Sequence, residues 1–461
     1  MIKKILFLAS AVLLNPASLA VGESTVSRTP PMGWNSYNCY GATVRENEVK
    51  ANADFMAKNL LKHGWNYVVV DFCWYYPHYI KDTQNGGKQC QAPESEGGCY
   101  VPWLAMDAYG RLLPHTVKFP SATGDKGFKP LGDYIHGLGL KFGIHVMRGI
   151  PRQAVWDKSP VLGTDGITAD MIADTSSTCS WLDNMYGLDM SKPGAQEYLN
   201  SLFQLYASWG VDFVKVDDLI SFERDMPAHK SEIAGYAKAI ENCGRQMVFS
   251  TSPGPTNIKD GDFFKQHANQ WRVDGDFWDN WKSLHRAFER ADSWTPHRGE
   301  GHWPDLDMIQ LGRISRRGPV GKERESSFTP DEQRTHMTLW CIAKSPLFFG
   351  GDLTMINDQV MPLITNAKAL EINQHGTEAR QLYRKNDLVV WVSKLGDTNK
   401  WNVALFNLTE KTEVVEIDFS EIGLSGRREI VDIWQDKRLG SFDGKYKQSV
   451  VPHGSVLLQL E

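Results

Sequence analysis

The sequence lacks several features that would place it in common protein classes. After its first twenty residues it has no long apolar run, and a membrane span needs about 20 consecutive apolar residues. No GxGxxG fingerprint follows a strand-like segment, and no zinc-type spacing of cysteines is present. The net charge is −5, without a stripe of lysine and arginine. We therefore expect no membrane span, no dinucleotide cofactor and no nucleic-acid partner.

Cysteine is scarce and odd in number, with seven residues in 461. At least one thiol therefore stays unpaired unless it joins another chain. Two disulfides are candidates in an oxidising compartment: one between Cys90 and Cys99, and one between Cys39 and Cys73 near the ends of two early strands. Cys179 and Cys341 are expected to be buried thiols instead.

The first twenty residues have the organisation of a secretory signal peptide. Lys3 and Lys4 form a positive start, the run 5–14 is apolar, and small residues stand near Ala20 where cleavage would occur. The apolar run is too short to span a membrane. The segment 1–20 therefore predicts a secreted or periplasmic protein.

Between residues 28 and 376, short apolar runs alternate with amphipathic helical segments. Runs rich in β-branched residues suit strands that are buried on both faces of a parallel sheet. Repetition over this length favours a (β/α)8 barrel, an α/β fold, over an open sheet. The predicted strands are Tyr67–Asp71, Lys141–His145, Val211–Asp217, Gln246–Ser252, Gln270–Val273 and Ser345–Phe349. Residues 378–461 instead show several strand-like runs separated by turns, which predicts a C-terminal antiparallel β-sandwich.

Polar residues end, or closely follow, several of the predicted barrel strands. A barrel gathers these ends at its C-terminal face, where enzymes of this fold carry out their chemistry. The long insertions 75–127 and 154–184 would roof one rim of the resulting pocket. The polar residues concerned are Asp71, His145, Asp217, Ser252 and Asp276.

Two of these positions suit paired acid–base chemistry. Asp217 ends a strand two residues after Lys215, whose charge would lower the pKa of the carboxyl group. Asp276 lies on the loop that follows Arg272 and directly precedes Phe277. We expect Arg272 to orient Asp276 or to contact a substrate hydroxyl. Asp274 would only orient Arg272, and Asp279 would cap the helix that begins near Asn280.

Cleavage of a glycosidic bond needs one ionised and one protonated carboxyl group. Asp217 suits the ionised nucleophile, and Asp276, among aromatic residues that would raise its pKa, suits the acid. Carboxyl groups about 5 Å apart would mean retention of configuration, and a wider gap would mean inversion.

At these residues the chain resembles glycoside hydrolase family 27, the α-galactosidase and α-N-acetylgalactosaminidase family. The match runs in order along almost the whole mature chain. It covers Thr29–Ser36, Val70–Trp74, Lys215–Asp217, Trp271–Trp281, His302–Met308, Leu339–Leu353 and Glu371–Gln374.

The resemblance implies a retaining exo-glycosidase that removes terminal α-galactose-type residues from oligosaccharides or polysaccharides without a cofactor. It places the nucleophile on Asp217 and the acid/base on Asp276. It also implies sugar contacts for residues in the matched motifs, and we assign no metal ligands. The expected substrate-binding residues are Asp71, Phe72, Tyr37, His145, Lys215, Ser252, Arg272 and Asp307.

Departures from the family pattern leave the sugar open. Family α-galactosidases usually have a second aspartate where this chain has Phe72, and that aspartate holds a sugar hydroxyl. Tyr37 and His145 stand where tryptophan and tyrosine are common. Ser252 resembles the residue that leaves room for an acetamido group, whereas Phe72 suits a β-L-arabinopyranoside, which lacks the hydroxymethyl group of galactose. The alternatives are thus an α-N-acetylgalactosaminidase or a β-L-arabinopyranosidase.

Two readings from other classes also follow from the same residues. Strand-end carboxylates such as Asp71, Asp217 and Asp276 can bind a metal in a barrel lyase or isomerase. The scaffold could also bind carbohydrate without cleaving it. Nothing in the sequence indicates an oligomeric state.

Overall fold

The computed structural model describes residues 26–76, 104–182, 184–220, 227–396 and 398–461. The predicted signal peptide and the pair Cys90 and Cys99 lie outside these residues. Within them, no helix is both long and apolar enough to cross a membrane.

An eight-stranded parallel sheet forms the first domain. Its strands pair in the order β7-β6-β5-β4-β3-β2-β1-β8. A parallel bridge between Ile309, just beyond β7, and Phe349 of β8 closes the ring, so the domain is a (β/α)8 barrel as predicted. The strands are β1 Met32–Asn35, β2 Tyr67–Val70, β3 Lys141–Met147, β4 Val211–Asp217, β5 Val248–Thr251, β6 Gln270–Arg272, β7 Trp303–Asp305 and β8 Leu347–Phe349.

Longer helices cover the outside of the barrel. On β2, Val68 and Val70 face this helical layer, whereas Tyr67 and Val69 point into the barrel. This alternation explains why the strand is apolar throughout. The helices are α1 Glu46–Asn59, α2 Lys129–Gly137, α3 Ala195–Ser208, α4 Lys230–Asn242, α5 Gly261–His267, α6 Trp281–Trp294, α7 Pro330–Ile342 and α8 Ala367–His375.

Each of the six predicted strand segments overlaps a barrel strand, and only β3 runs beyond its predicted end, to Met147. Strands β1 and β7 were recognised only as family motifs. Both are short and include a residue that disfavours strands, Gly33 in β1 and Pro304 in β7. Gly33 is needed for close approach, because a Cβ there would lie 2.3 Å from the carbonyl oxygen of Tyr67.

The loop after β3 forms a small antiparallel sheet of Ile150–Pro151, Met185–Leu188 and Ala173–Thr178. Of its three strands, Ala173–Thr178 falls within the predicted second insertion, and the other two flank it. Most of the first insertion lies outside the described residues. The second insertion reaches the site described below through Trp181.

The second domain is an antiparallel β-sandwich, as predicted. A six-stranded sheet in the order β9-β10-β11-β16-β13-β14 packs against the two-stranded sheet β12-β15. The strands are β9 Gly376–Lys385, β10 Leu388–Leu395, β11 Trp401–Asn407, β12 Glu413–Asp418, β13 Arg427–Asp432, β14 Lys437–Asp443, β15 Lys445–Val450 and β16 Ser455–Leu460.

The larger sheet of the sandwich is apolar on both faces. In β10, Val390 and Val392 enter the sandwich core, whereas Val389 and Trp391 join the hydrophobic core of the barrel. The ring of Phe406 in β11 packs on Phe288 of α6, with centroids 4.9 Å apart. The two domains therefore share a continuous apolar interior.

The expected disulfide between Cys39 and Cys73 is wrong, because both are free, buried thiols. A position near a strand end does not supply the close Cβ approach that a disulfide requires. Cys179 and Cys341 are buried free thiols, as predicted.

Candidate active site

The C-terminal ends of the barrel strands bring the predicted polar residues together. A pocket of about 160 Å³ opens there, and its volume is smaller than the roughly 300 to 1,000 Å³ typical of sites for larger ligands. It is lined by Tyr37, Asp71, Phe72, Trp181, Lys215, Asp217, Pro253 and Asp276.

Asp71 lies in the pocket directly after β2 and is almost fully buried. Its carboxylate accepts hydrogen bonds from the amide of Asn35 at 2.8 Å and the backbone N–H of Phe72 at 2.9 Å, and it pairs with Lys215 at 3.1 Å. Burial alone would raise the pKa of Asp71, but Lys215 and the other partners lower it to about 2. Asp71 is therefore an ionised hydrogen-bond acceptor.

Asp217 ends β4 with both carboxylate oxygens engaged. Oδ2 lies 2.9 Å from Nε2 of His145, and Oδ1 accepts from the backbone N–H of Asp218 at 3.0 Å. Burial raises the pKa of Asp217, but the His145 contact and the Lys215 charge outweigh it and leave the pKa below its usual range. Asp217 is thus ionised in the folded protein.

Lys215 is a buried cation between two carboxylates. Burial lowers its pKa, but Asp71 and Asp217 outweigh that effect and raise it. The ammonium also lies 5.6 Å from the ring centroid of Tyr37. It therefore holds a fixed positive charge beneath the pocket.

Asp276 has a more open setting, with 37% of its side chain exposed. A guanidinium nitrogen of Arg272 lies 3.4 Å from its carboxylate and 2.8 Å from that of Asp307. Burial, the largest effect, raises the pKa of Asp307 to about 7 against the opposing charge of Arg272. Arg272 thus connects a partly exposed carboxylate to a buried one.

Four of the predicted substrate-binding residues lie behind the pocket lining. His145 contacts Asp217, while Arg272 and Asp307 face a cavity of about 20 Å³ inside the barrel. The hydroxyl of Ser252 is buried without a hydrogen-bond partner among the described residues, and the neighbouring Pro253 forms the pocket wall.

The prediction that Asp279 caps α6 is wrong. The cap is Asn280, whose side chain accepts from the backbone N–H of Ser283 at 2.9 Å. Asp279 instead pairs with Arg324 and accepts from the backbone N–H of Ser327. A charged partner far along the chain outweighs the local preference.

Asp274 contributes to the orientation of Arg272 through its carbonyl oxygen, which accepts a guanidinium hydrogen at 3.3 Å. Its carboxylate pairs with Arg286 of α6 instead.

Three residues of the site were not predicted individually. Trp181 comes from the predicted roof, and Pro253 follows the predicted β5 segment. Asn35 fixes Asp71 from β1, a strand that only the family motif had indicated.

The described residues contain no cluster of three or more side chains arranged to hold a metal ion.

The pocket combines two ionised, buried carboxylates, Asp71 and Asp217, with the more open carboxylate of Asp276 and an aromatic wall. Asp217 can attack an electrophilic carbon, and Asp276 can exchange a proton with solvent or a leaving group. Phe72 and Trp181 provide apolar faces of the kind that pack against sugar C–H groups.

Comparisons with known proteins agree with this arrangement. Residues 183–375 match the family model described as alpha galactosidase A, and residues 385–460 match the alpha galactosidase C-terminal beta sandwich domain. The α-galactosidase of Cyamopsis tetragonoloba is 28% identical over 94% of this chain and 86% of its own.

Two solved structures are more similar in sequence. A β-L-arabinopyranosidase from Geobacillus stearothermophilus is 48% identical with a TM-score of 0.88, over 94% of this chain and 97% of that one. A variant of that enzyme has been crystallised with arabinose. A protein from Bacillus halodurans, named as a candidate α-N-acetylgalactosaminidase, is 46% identical with a TM-score of 0.82, over 95% of this chain and 99% of that one.

Proposed function

The chain belongs to glycoside hydrolase family 27 and is a glycosidase, and on this premise we propose that it removes terminal β-L-arabinopyranosyl residues from oligosaccharides or polysaccharides with retention of configuration. Asp217 is the nucleophile and Asp276 the general acid/base. The observation that carries the choice of sugar is the position of Phe72 in the pocket wall.

The environment of Asp217 supports its role as nucleophile. A nucleophilic carboxylate must be ionised when the substrate arrives. The lowered pKa of Asp217 meets this condition, and its contacts with His145 and Asp218 hold the carboxylate in one orientation. Attack on the anomeric carbon forms a covalent glycosyl-enzyme as the bond to the leaving group breaks.

The environment of Asp276 supports its role in the proton transfers. It donates a proton to the leaving oxygen in the first step and takes one from water in the second. Its partial exposure allows that water to enter, while Arg272 holds the carboxyl group in place.

Phe72 distinguishes arabinopyranose from galactose. Its ring is buried, 5.7 Å from Trp181 and 6.0 Å from Tyr37 between centroids, and it offers no hydrogen-bond partner. A β-L-arabinopyranoside has the ring configuration of an α-D-galactoside without the hydroxymethyl group. A galactose hydroxyl buried against this wall would lose about 1–3 kcal/mol, or roughly 5- to 150-fold in rate. The similarity to the Geobacillus arabinopyranosidase supports the same sugar.

The geometry gives less support to an N-acetylgalactosamine substrate. The expectation rested on space beside Ser252, but Pro253 forms the pocket wall at that point.

We also propose that residues 1–20 direct export, so that the enzyme meets its glycan outside the cytoplasm.

The test compares kcat/KM for aryl β-L-arabinopyranoside, α-D-galactoside and α-N-acetylgalactosaminide. The wild type should prefer the arabinopyranoside, and the first sugar released should be the β anomer by proton NMR. Phe72→Asp should shift the preference towards galactoside by about 10-fold, because it restores a hydrogen-bond acceptor. Phe72→Leu, the matched control, keeps the wall apolar and should leave the preference in place.

Two outcomes would overturn the proposal. Equal or faster cleavage of either other glycoside by the wild type would contradict the choice of sugar. A near-normal rate for Asp217→Asn, or release of the α anomer, would contradict the mechanism.

A further inference from the structure

The residue after the proposed nucleophile has an unusual backbone conformation. Asp218 has φ = +63°, in the left-handed region that residues with a side chain rarely adopt. This conformation places its N–H 3.0 Å from Oδ1 of Asp217. Such a conformation persists only where surrounding contacts hold it, so the contacts of Asp218 matter for the nucleophile.

Arg148, just beyond β3, supplies those contacts. Its backbone N–H donates to the carbonyl oxygen of Asp217 at 3.0 Å. Its Nε donates to the carbonyl oxygen of Asp218 at 3.0 Å, and its Nη2 donates to the carboxylate of the same residue at 2.9 Å. The planar guanidinium thus fixes both the main chain and the side chain of Asp218.

Arg148 is itself held rigidly, because only 2% of its side chain is exposed. Nη1 pairs with Glu232 of α4 at 2.8 Å, and the other oxygen of Glu232 accepts from the backbone N–H of Leu188 at 2.9 Å. Gly187 leaves the necessary space, since a Cβ there would lie 2.6 Å from Nη1. The guanidinium therefore has little freedom to move.

We propose that Arg148 and Asp218 are positioning residues that aim the carboxylate of Asp217 at the anomeric carbon. The proposal rests on the nucleophilic role of Asp217. His145 of β3 holds Oδ2, and Arg148, just beyond β3, holds Asp218, whose N–H binds Oδ1. Both oxygens therefore depend on one neighbouring segment of the chain. Neither Arg148 nor Asp218 lines the pocket, so they act through Asp217 and not on the substrate.

The opposite end of β4 offers a matched control. There Arg245 pairs with Asp212 at 2.5 Å and donates to the carbonyl oxygen of Val211 at 2.9 Å. Asp212 belongs to the same strand as Asp217 but lies at the end remote from the pocket. Replacing either arginine by lysine keeps the positive charge and removes the planar guanidinium, which can donate several hydrogen bonds at once.

The first experiment measures kcat, KM and thermal stability for Arg148→Lys and Arg245→Lys with the preferred aryl glycoside. Arg148→Lys should lower kcat by about 10- to 100-fold with KM nearly unchanged, as expected for a small misplacement of a reacting group. Arg245→Lys should change only the melting temperature. Equal kcat values for the two variants would overturn the proposal.

Substitutions at Asp218 provide a second test that leaves Arg148 unchanged. Asparagine tolerates the left-handed conformation and keeps an oxygen for Arg148, so Asp218→Asn should retain most of kcat. Alanine disfavours the left-handed conformation and offers no oxygen to Arg148. Asp218→Ala should therefore lower kcat as much as Arg148→Lys does. A wild-type kcat for Asp218→Ala would contradict the proposal.

The failure of the inference can be separated from failure of the proposed mechanism. If Asp217→Asn is inactive while Arg148→Lys and Asp218→Ala turn over normally, only the positioning role is wrong. If Asp217→Asn is active, the proposed mechanism on which the inference rests is wrong. The loss in Arg148→Lys should also persist with a good leaving group, because nucleophilic attack is needed for every substrate.

Discussion

Replacing Asp71 by asparagine should destabilise the protein more at neutral pH than in acid. The carboxylate is buried beside Lys215, and its pKa is lowered to about 2 because Lys215 and its hydrogen-bond donors outweigh burial. A lowered pKa means that the folded state binds the proton less readily than the unfolded chain. The resulting stability is full above the ordinary pKa of 3.8 and is lost as the pH falls towards 2.

The magnitude follows from these two values. The difference between 3.8 and about 2 is worth about 2.5 kcal/mol at neutral pH, and about 1 kcal/mol of it is lost by pH 3. Asparagine does not titrate, so the variant lacks this contribution at every pH. Any other cost of the substitution does not change with pH over this range, because Lys215 stays charged and keeps Asp217 as its second partner.

Urea unfolding at pH 6 and pH 3 isolates the part of the free energy of unfolding that depends on pH. The free energy difference between wild type and Asp71→Asn should shrink by about 1 kcal/mol from pH 6 to pH 3. Asp305→Asn is the control of opposite sign, because burial raises the pKa of Asp305, and its cost should grow as the pH falls. A difference for Asp71→Asn that does not change with pH would refute the reasoning.

Two further predictions concern the acid/base and the N-terminus. Asp276→Asn should slow the cleavage of natural glycosides far more than of aryl glycosides with good leaving groups, because these need little protonation. Equal losses in a steady-state comparison of the two substrates would remove Asp276 from that role. Mass spectrometry of the exported protein should find its N-terminus at Val21, and an intact segment 1–20 would contradict the predicted cleavage.

The sequence predicts the barrel and the meeting of Asp71, Lys215, Asp217 and Asp276 for one physical reason. Parallel strands end at a common edge, so strand-end residues far apart in the chain come together. Strand position fixed by hydrophobic pattern is therefore enough to place them. Phe72 also reaches the pocket, because it follows Asp71 directly.

The positions that the sequence could not place depend on contacts between distant segments. Asp307 lies in a motif expected to touch sugar, but its left-handed backbone, with φ = +82°, accompanies a carboxylate directed at Arg272 and the N–H of Phe277. Asp279 is drawn to Arg324 instead of capping its helix. No local pattern indicates such partners.

Strand β16 has a consequence for truncated chains. β16 lies in the middle of the larger sheet of the sandwich, and Ser455 at its start contacts Thr338 of α7 at 3.1 Å. The carbonyl oxygen of His453 also accepts from Thr335 of the same helix at 2.8 Å. Residues 453–455 thus tie α7 of the barrel to the sandwich. A chain cut before Ser455 would lose the central strand of the larger sheet together with its contact to α7, so truncation there should weaken the sandwich and its attachment to the barrel.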